Sequence, residues 1–566
     1  MIRNYFLALG SSRGKNSQKY ETDKISTIFI KCLFHPYLMD TNQPKVGIFV
    51  RQSTGLVRAV GGWDSFFATF ALVTGGVPIF LVSLLFLSPG ANYTIALIVM
   101  FLPSMALGAV YTLFGISMPR SGGDYVFVSR GLNSFLGFVN SFGLFFAYVF
   151  SIGIYSLYAA QYLADAVATY GFLAHSTSLI SIASTMLSQN YLVVTGVIVI
   201  IVFLLLLTFA STRTAFRAIL ITGILEIIAT IIYFAINATI TQSQFITAFD
   251  KYAGAGAYYN VIQSAKSNGL VYAPGIRTTL LALPIAWYAF TWYTLPANWS
   301  GEMRQVKKSL PLAILGALLI ILIFYLVFYN VSFHAFGQQF LTAWSFNYLY
   351  GYSLPFSYIG TYTPFFMSLV YPNIIIPILA LFVFWLPDVF FFIPTMIGGT
   401  RYLFAWSFDR MAPEIFSRVS IRTKVPIIST ILIGVLAIIG LLAYAYIPTV
   451  AIVDVIPIFD FAFIIPAITA ILMPFLKKDV YENSFVVKRK IIGLPLISWL
   501  GIAALIGIIY GIIGLWNSYL MPINYVTGIA ILGIYAVAVV IFIAMYVINR
   551  RKGIDPRLAF KEIPPE

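Results

Sequence analysis

Six consecutive residues, Val73-Thr74-Gly75-Gly76-Val77-Pro78, are the stretch of this sequence best suited to meeting a ligand. They lie inside an apolar run from Phe66 to Leu87, long enough to cross a bilayer at about 1.5 Å per residue. Two glycines and a proline weaken a helix there. In hydrocarbon an unpaired N–H or C=O is expensive unless it lines a cavity or meets a ligand. A break at that depth therefore points to a binding site, with Thr74, Gly75, Gly76 and Val77 offering backbone. A kink packed against a neighbour is the plainer alternative, since Gly and Pro are common in membrane helices. The stretch Leu283 to Asn298 repeats the disturbance. Pro284 and Pro296 bracket Phe290, Thr291, Trp292 and Tyr293, a β-branched and aromatic centre that makes a poor continuous helix. Free N–H groups and positive dipole ends at such breaks suit an anionic group such as a carboxylate. Phe290, Trp292 and Tyr293 would wall it, although aromatics make up 17% of the chain and each alone is better explained by packing.

Ionisable groups inside a membrane are costly, and each is a functional candidate by default. Glu226 lies nine residues after Arg217, about 13 Å along a helix. Asp388 lies thirteen residues before Arg401, about 20 Å along a helix. Either carboxylate could carry a proton or help hold Na⁺, with Thr395 as a hydroxyl for a Na⁺ site. The alternative is a carboxylate bonded to neighbouring backbone with no role in coupling. Asp460 is a further candidate, whereas Asp165 and Asp454 are expected near a solvated interface. No cofactor and no metal centre is expected beyond H⁺ or Na⁺ as a coupling ion. Cys32 is the one cysteine, which leaves no thiolate metal site.

The elements that must hold these groups follow from composition. Of 566 residues 60% are hydrophobic and 9% charged, and mean hydropathy is +0.91; a soluble protein carries roughly 25% charged residues. Apolar segments recur at 66–88, 93–117, 132–165, 191–210, 214–237, 278–298, 311–333, 371–400, 425–446, 450–475, 496–516 and 523–548. This predicts an all-α polytopic membrane protein of about twelve transmembrane helices. The alternating pattern of an outer-membrane barrel is missing. The run at 132–165 exceeds a perpendicular span and should tilt or project.

Lysine and arginine set the orientation. With the N-terminus inside, thirty-one of the thirty-four fall on inner segments, and only Lys251, Lys266 and Arg277 fall outside. Both termini are therefore expected in the cytoplasm and the protein in the cell membrane. The net charge of +15 then serves anionic lipid headgroups, not nucleic acid. The outer loops at 166–190, 238–277 and 335–370 carry few or no charges and should fold as short interfacial helices. Asn92, Asn237 and Asn330 head N-x-S/T sequons on or near that side. Interruptions at spans 1 and 6 match an inverted repeat with its ligand between the halves. The chain divides into a cytoplasmic tail (1–62), a first five-helix repeat (63–237), an extracellular loop (238–277), a second five-helix repeat (278–476), two further helices (477–549) and a cytoplasmic tail (550–566). Met39 is a possible alternative start. An enzyme is disfavoured: His35, His175 and His334 lie outside the predicted core, and H-E-x-x-H, Walker A and G-x-S-x-G motifs do not occur.

Three inner loops carry a resemblance. Pro119-Arg120-Ser121-Gly122-Gly123-Asp124-Tyr125-Val126-Phe127 looks like P-x-x-G-G-x-Y-x-Y, Ser300 to Pro311 like A-E-E-V-K-N-P-x-x-x-I-P, and Thr400-Arg401-Tyr402 through Asp409 to Pro413 like S-R-x-L-Y-A-M-A-R-D-G-x-x-P. In this order the chain, over about residues 56 to 550, resembles the amino acid–polyamine–organocation (APC) permeases. The resemblance implies a leucine-transporter-type 5+5 inverted repeat plus two C-terminal helices. It also implies alternating-access transport of a small amino-acid-like substrate. A transport-inactive sensor or chaperone subunit of the same fold is the alternative, and the oligomeric state is left open. In that fold helices 5 and 8 border the cation region beside helix 1, and Glu226 falls where some proton-coupled relatives carry a lysine. Family positions suggest a salt-bridged inner gate of Glu302, Arg304, Asp409 and Arg410, with headgroup contacts as the plainer reading. The family's helix 1 usually reads G-[SA]-G-I where Gly75-Gly76-Val77-Pro78 stands. Its helix 6 usually has a small residue at Trp292 and an acid near Thr294.

Overall fold

The computed structural model describes residues 55–451, 455–484, 488–516, 525–555 and 560. Asp454 and most of the two predicted tails lie outside them. Among the described residues the protein is almost wholly helical, and eleven helices are long and apolar enough to cross a membrane. In chain order the spans are α1 (Gly62–Ser83), α2 (Tyr93–Ser117), α3 (Ser134–Leu173), α4 (Gln189–Phe209) and α5 (Thr212–Ala238), then α6 (Ile276–Tyr288), α7 (Val306–Phe336), α8 (Ile375–Phe408), α9 (Ile427–Tyr446), α10 (Val455–Leu476), α11 (Leu496–Gly514) and α12 (Tyr525–Arg551). The twelfth expected span is α6, which stops after 13 residues. The chain then bends and resumes as a 3₁₀ helix, Leu295–Glu302. The 40-residue α3 reaches about 60 Å and so projects beyond the bilayer, as its length predicts.

Burial orders the spans. The apolar stretch of α1 is 94% buried and that of α12 is 17% buried, so α1 is central and α12 lies at the rim. α1 packs on α5, α7 and α8, while α3 packs on α8, α9, α10 and α12. On the side opposite the basic loops, five short helices cover the spans: Thr177–Met186, Gln242–Ala253, Ala257–Ser267, Gln338–Leu349 and Thr363–Val370. They are the loops expected to fold at the interface. α7 and α8 each contain one π turn, Leu312–Gly316 and Leu381–Trp385, a local defect frequent at functional sites.

The start of α1 and the segment after α6 are tied together. Val60 N–H donates to the Glu302 carbonyl (3.0 Å), and Arg304 N–H donates back to the Val60 carbonyl (3.1 Å). Trp299 Nε1 donates to Ser65 Oγ of α1 (3.0 Å). The two interrupted spans are thus joined at the face that bears the basic loops.

Candidate functional site

α1 is broken where the sequence predicts. Its first half ends at Thr74 and its second begins at Val77, with Pro78 in the first turn. Pro78 has no N–H, and its ring excludes the carbonyl four residues back. The exposed polar groups are met by side chains. Tyr325 of α7 donates its hydroxyl to the Val73 carbonyl (2.6 Å), and Tyr162 of α3 donates to the Gly76 carbonyl (2.8 Å). Thr74 Oγ1 donates to the Phe70 carbonyl (2.7 Å) and to Glu226 Oε1 (2.5 Å). The glycines meet protein: a Cβ on Gly75 would stand 2.7 Å from the Asp388 nitrogen, and one on Gly76 would run into the Tyr162 ring. Val77 is buried beside them. Their glycine character serves close packing of α1 on α8 and α3, which the sequence alone reads as access for a ligand.

In the α6 break, residues 289–294 are not helical. Trp292 adopts φ +62°, a conformation rare for bulky residues and characteristic of sites under constraint. It is fully buried, and its indole N–H has no hydrogen-bond partner. Its ring lies edge-on to Tyr155 (5.5 Å), Tyr288 (5.8 Å), Phe391 (6.2 Å) and Phe459 (5.4 Å), and so joins α3, α6, α8 and α10. Tyr288 also packs on Phe80 in the second half of α1 (5.3 Å). The other two predicted walls face elsewhere. Phe290 packs on Phe101 of α2 (5.9 Å), and Tyr293 donates to the Ser104 carbonyl of α2 (2.9 Å). Thr291 Oγ1 donates to the Tyr288 carbonyl (2.9 Å), which stabilises the turn.

Two acids border the α1 break. Glu226 on α5 is bonded to Thr74. Asp388 on α8 is 1% exposed, and neither carboxylate oxygen makes a hydrogen bond; the Gly76 N–H is directed toward it without closing one. A buried carboxylate without a donor is a costly arrangement, and one suited to receiving an ammonium or a proton. Thr395 Oγ1 donates to the Phe391 carbonyl of its own helix (2.7 Å). Asp460 accepts from Trp287 Nε1 (2.7 Å). Asp165, expected at a solvated interface, is instead 2% exposed, because the projecting end of α3 is covered by the short helices on that side. Asn237 is likewise fully buried, so its sequon is closed to modification in this structure.

The three motif loops converge on the basic face in one buried polar network. Gly122 (φ +100°) and Gly123 (φ +47°) need backbone that only glycine adopts easily. Gly122 N–H donates to the Asn298 carbonyl (3.1 Å). Arg401 grips Glu302 with Nε to Oε1 and Nη2 to Oε2, both 2.7 Å. Arg130 grips Asp409 at 2.7 and 3.0 Å, and Tyr125 adds its hydroxyl at 2.8 Å. Asp124 accepts from the Tyr402 hydroxyl and from Asn140 Nδ2 (2.9 Å). The predicted ion partners are thereby corrected. Glu302 and Asp409 are buried in ion pairs, but Arg304 is exposed and Arg410 is half-buried beside Glu414. Sequence reasoning missed Arg130, Arg401, Asp124, Tyr125 and Tyr402 as members, although all five stand in or beside the motif loops. It missed Tyr155, Tyr162 and Tyr325 because nothing local separates them from the other 33 tyrosines.

The sequence model of one protein family, described as amino acid permease, matches residues 60–544. No curated protein matches the chain.

Arg401→Met strands Glu302 as a buried unpaired charge and should lower stability by about 3–5 kcal/mol. Adding Glu302→Gln should restore much of that in denaturant unfolding of the detergent-solubilised protein. Burial pushes the Asp124 carboxyl up to about 7, against the lowering bonds from Tyr402 and Asn140. The folded protein therefore holds a proton that an exposed aspartate releases near 3.8. Stability from this group is present below that value and falls as pH rises through about 7. Asp124→Asn should flatten the decline in Tm between pH 4 and 7; an unaltered profile would show that Asp124 is not the titrating group.

Proposed function

The chain belongs to the amino acid permease family, and from that premise we propose that it is a secondary active transporter, moving amino acids or related amines by alternating access. It is a multi-pass membrane protein, and its family points to a transporter rather than an enzyme. We take the cell membrane as its location and the cytoplasm as the side of both termini, since that assignment puts almost every basic loop against anionic lipid.

The observation that carries the reading is the enclosed α1 break with Asp388 unpartnered beside it. A small zwitterion has two ends to satisfy. Its ammonium suits the Asp388 carboxylate, and its carboxylate suits the Gly75 and Gly76 N–H groups once Asp388 and the Tyr162 ring, which pack on those glycines, give way. Trp292, already strained and with an unused N–H, would set the room left for the side chain. Glu226 is the proposed proton carrier, because its bond to Thr74 couples its charge state to the broken backbone. A Na⁺ site using Thr395 would draw on the lone pairs of its oxygen, which stay available while its O–H donates to the Phe391 carbonyl. Glu302–Arg401 and Arg130–Asp409 would then close the basic face in this state. The segments 63–237 and 278–476 are the proposed repeats.

The test is uptake of each of the twenty ¹⁴C-labelled amino acids and common amines into proteoliposomes holding the full chain, with a proton gradient, a sodium gradient or none. Gradient-dependent accumulation of at least one compound is expected. Absence of uptake and of counterflow for all of them would sink the proposal and favour a transport-inactive sensor. Glu226→Gln should abolish accumulation while counterflow at equal pH survives within a few-fold; normal accumulation would remove Glu226 from coupling.

A further inference from the structure

One face of α5 carries a line of buried polar side chains. Glu226, Thr230, Tyr233 and Asn237 follow at steps of four, three and four, the spacing that keeps side chains on one helix face. All four are more than nine-tenths buried, whereas Leu225, Ile228, Ile231 and Ile232 around the rest of the helix are exposed on the apolar surface. Thr230 Oγ1, the Tyr233 hydroxyl and both amide atoms of Asn237 make no hydrogen bond to protein. The Thr363 hydroxyl, on the helix Thr363–Val370, faces Tyr233 and makes no hydrogen bond either. Directly after Asn237, Ala238 and Thr239 are exposed at the end of α5 remote from the basic loops.

Packing alone gives no reason for this line. Each unsatisfied buried polar group costs about 1–3 kcal/mol, and valine, phenylalanine and leucine would fill the same space. The spacing suits water. At 1.5 Å per residue the four positions lie about 6, 4.5 and 6 Å apart along the axis, and one water accepting and donating bonds of about 2.8 Å spans about 5.5 Å. The Thr and Tyr hydroxyls can each accept one hydrogen bond while donating another, and the Asn237 amide can anchor a water at the mouth.

We propose that this face of α5 is a hydrated proton path from the surface at Ala238–Thr239 to the Glu226 carboxylate. A proton entering at Asn237 passes between waters and the hydroxyls of Tyr233, Thr363 and Thr230. Each hydroxyl takes one proton as it releases another, and the carboxylate ends as the neutral acid. At this end of the path the Thr74 hydroxyl of α1 bonds Glu226; the nearby titratable groups of α7 and α8 meet the α1 backbone instead, Tyr325 at the Val73 carbonyl and Asp388 beside Gly76, while Asp64, the one acid of α1, lies at the opposite end of that helix. The inference rests on the reading of Glu226 as the proton carrier.

The experiment is infrared spectroscopy of the full chain in lipid, at a pH low enough to protonate Glu226. The difference from Glu226→Gln isolates its carboxyl band, and the deuteration shift of that band is timed after exposure to D₂O. Thr230→Val with Tyr233→Phe should slow the shift at least tenfold, while Ile232→Val on the exposed face leaves it unchanged. An unchanged rate in the double variant overturns the path. Tyr233→Phe alone, which keeps the ring on Phe384, serves if the double variant does not fold; a several-fold slowing is expected, and an unchanged rate again overturns the path. Tm gives a second readout. Dry hydroxyls would make the variants more stable, whereas a hydrated line gives no rise. The two readings fail separately: normal gradient-driven accumulation by Glu226→Gln removes the carrier, and unaltered deuteration removes the path.

Discussion

A helix interrupted within hydrocarbon must find partners for its own backbone, because no solvent will supply them. That requirement accounts for much of what surrounds α1. The Val73 and Gly76 carbonyls are each met by a tyrosine hydroxyl, from α7 and α3, and the Thr74 hydroxyl engages α5. The bonds come from three helices, so the break does not behave as a local kink. It is a junction whose geometry changes whenever any one of those helices moves. The 94% burial of α1 follows from the same need.

Buried charge is handled in two opposite ways. On the basic face each arginine holds a carboxylate with two short bonds, the geometry in which a buried pair best recovers its desolvation penalty. At the α1 break the acids stand without a cation: Glu226 has one neutral donor, and Asp388 makes no hydrogen bond. A carboxylate kept in that condition weakens the fold unless it is neutralised. The paired charges fix one arrangement of loops, and the unpaired ones leave a demand for a positive charge at the centre.

The two breaks were legible in the sequence because their cause is local: a Gly-Gly-x-Pro run and a proline pair oppose a helix whatever surrounds them. The span count was legible for a similar reason, since hydropathy integrates over twenty residues. Partners were not. Glu302 and Arg304 stand close in sequence, yet Glu302 pairs with Arg401, 99 positions away. Charge spacing along a loop carries no information about which distant loop folds over it. The aromatic residues failed as a group for another reason. Phe290, Trp292 and Tyr293 are neighbours, but outside a helix their directions depend on a turn, and the positive φ of Trp292 sends only that ring among Tyr155, Phe391 and Phe459.

The same network limits how the basic face could open. Glu302 follows α6, Arg401 belongs to α8, Arg130 precedes α3 and Asp409 ends α8. Separating α6 from α8, or α3 from α8, therefore parts an ion pair. In a dry interior each parting would cost several kcal/mol, more than a protein with a total stability of about 5–15 kcal/mol can spare twice. Opening is feasible only if water reaches the ions as they part, so that hydration replaces each lost partner. The paired side chains are only 1–3% exposed, so water has to enter as the loops part. At the α1 break Glu226 and Asp388 have no cation to part from, and their charge changes by taking up a ligand or a proton. The two places thus differ in kind: the ion pairs lock loops to one another, and the unpaired acids at the break leave a charge to be compensated.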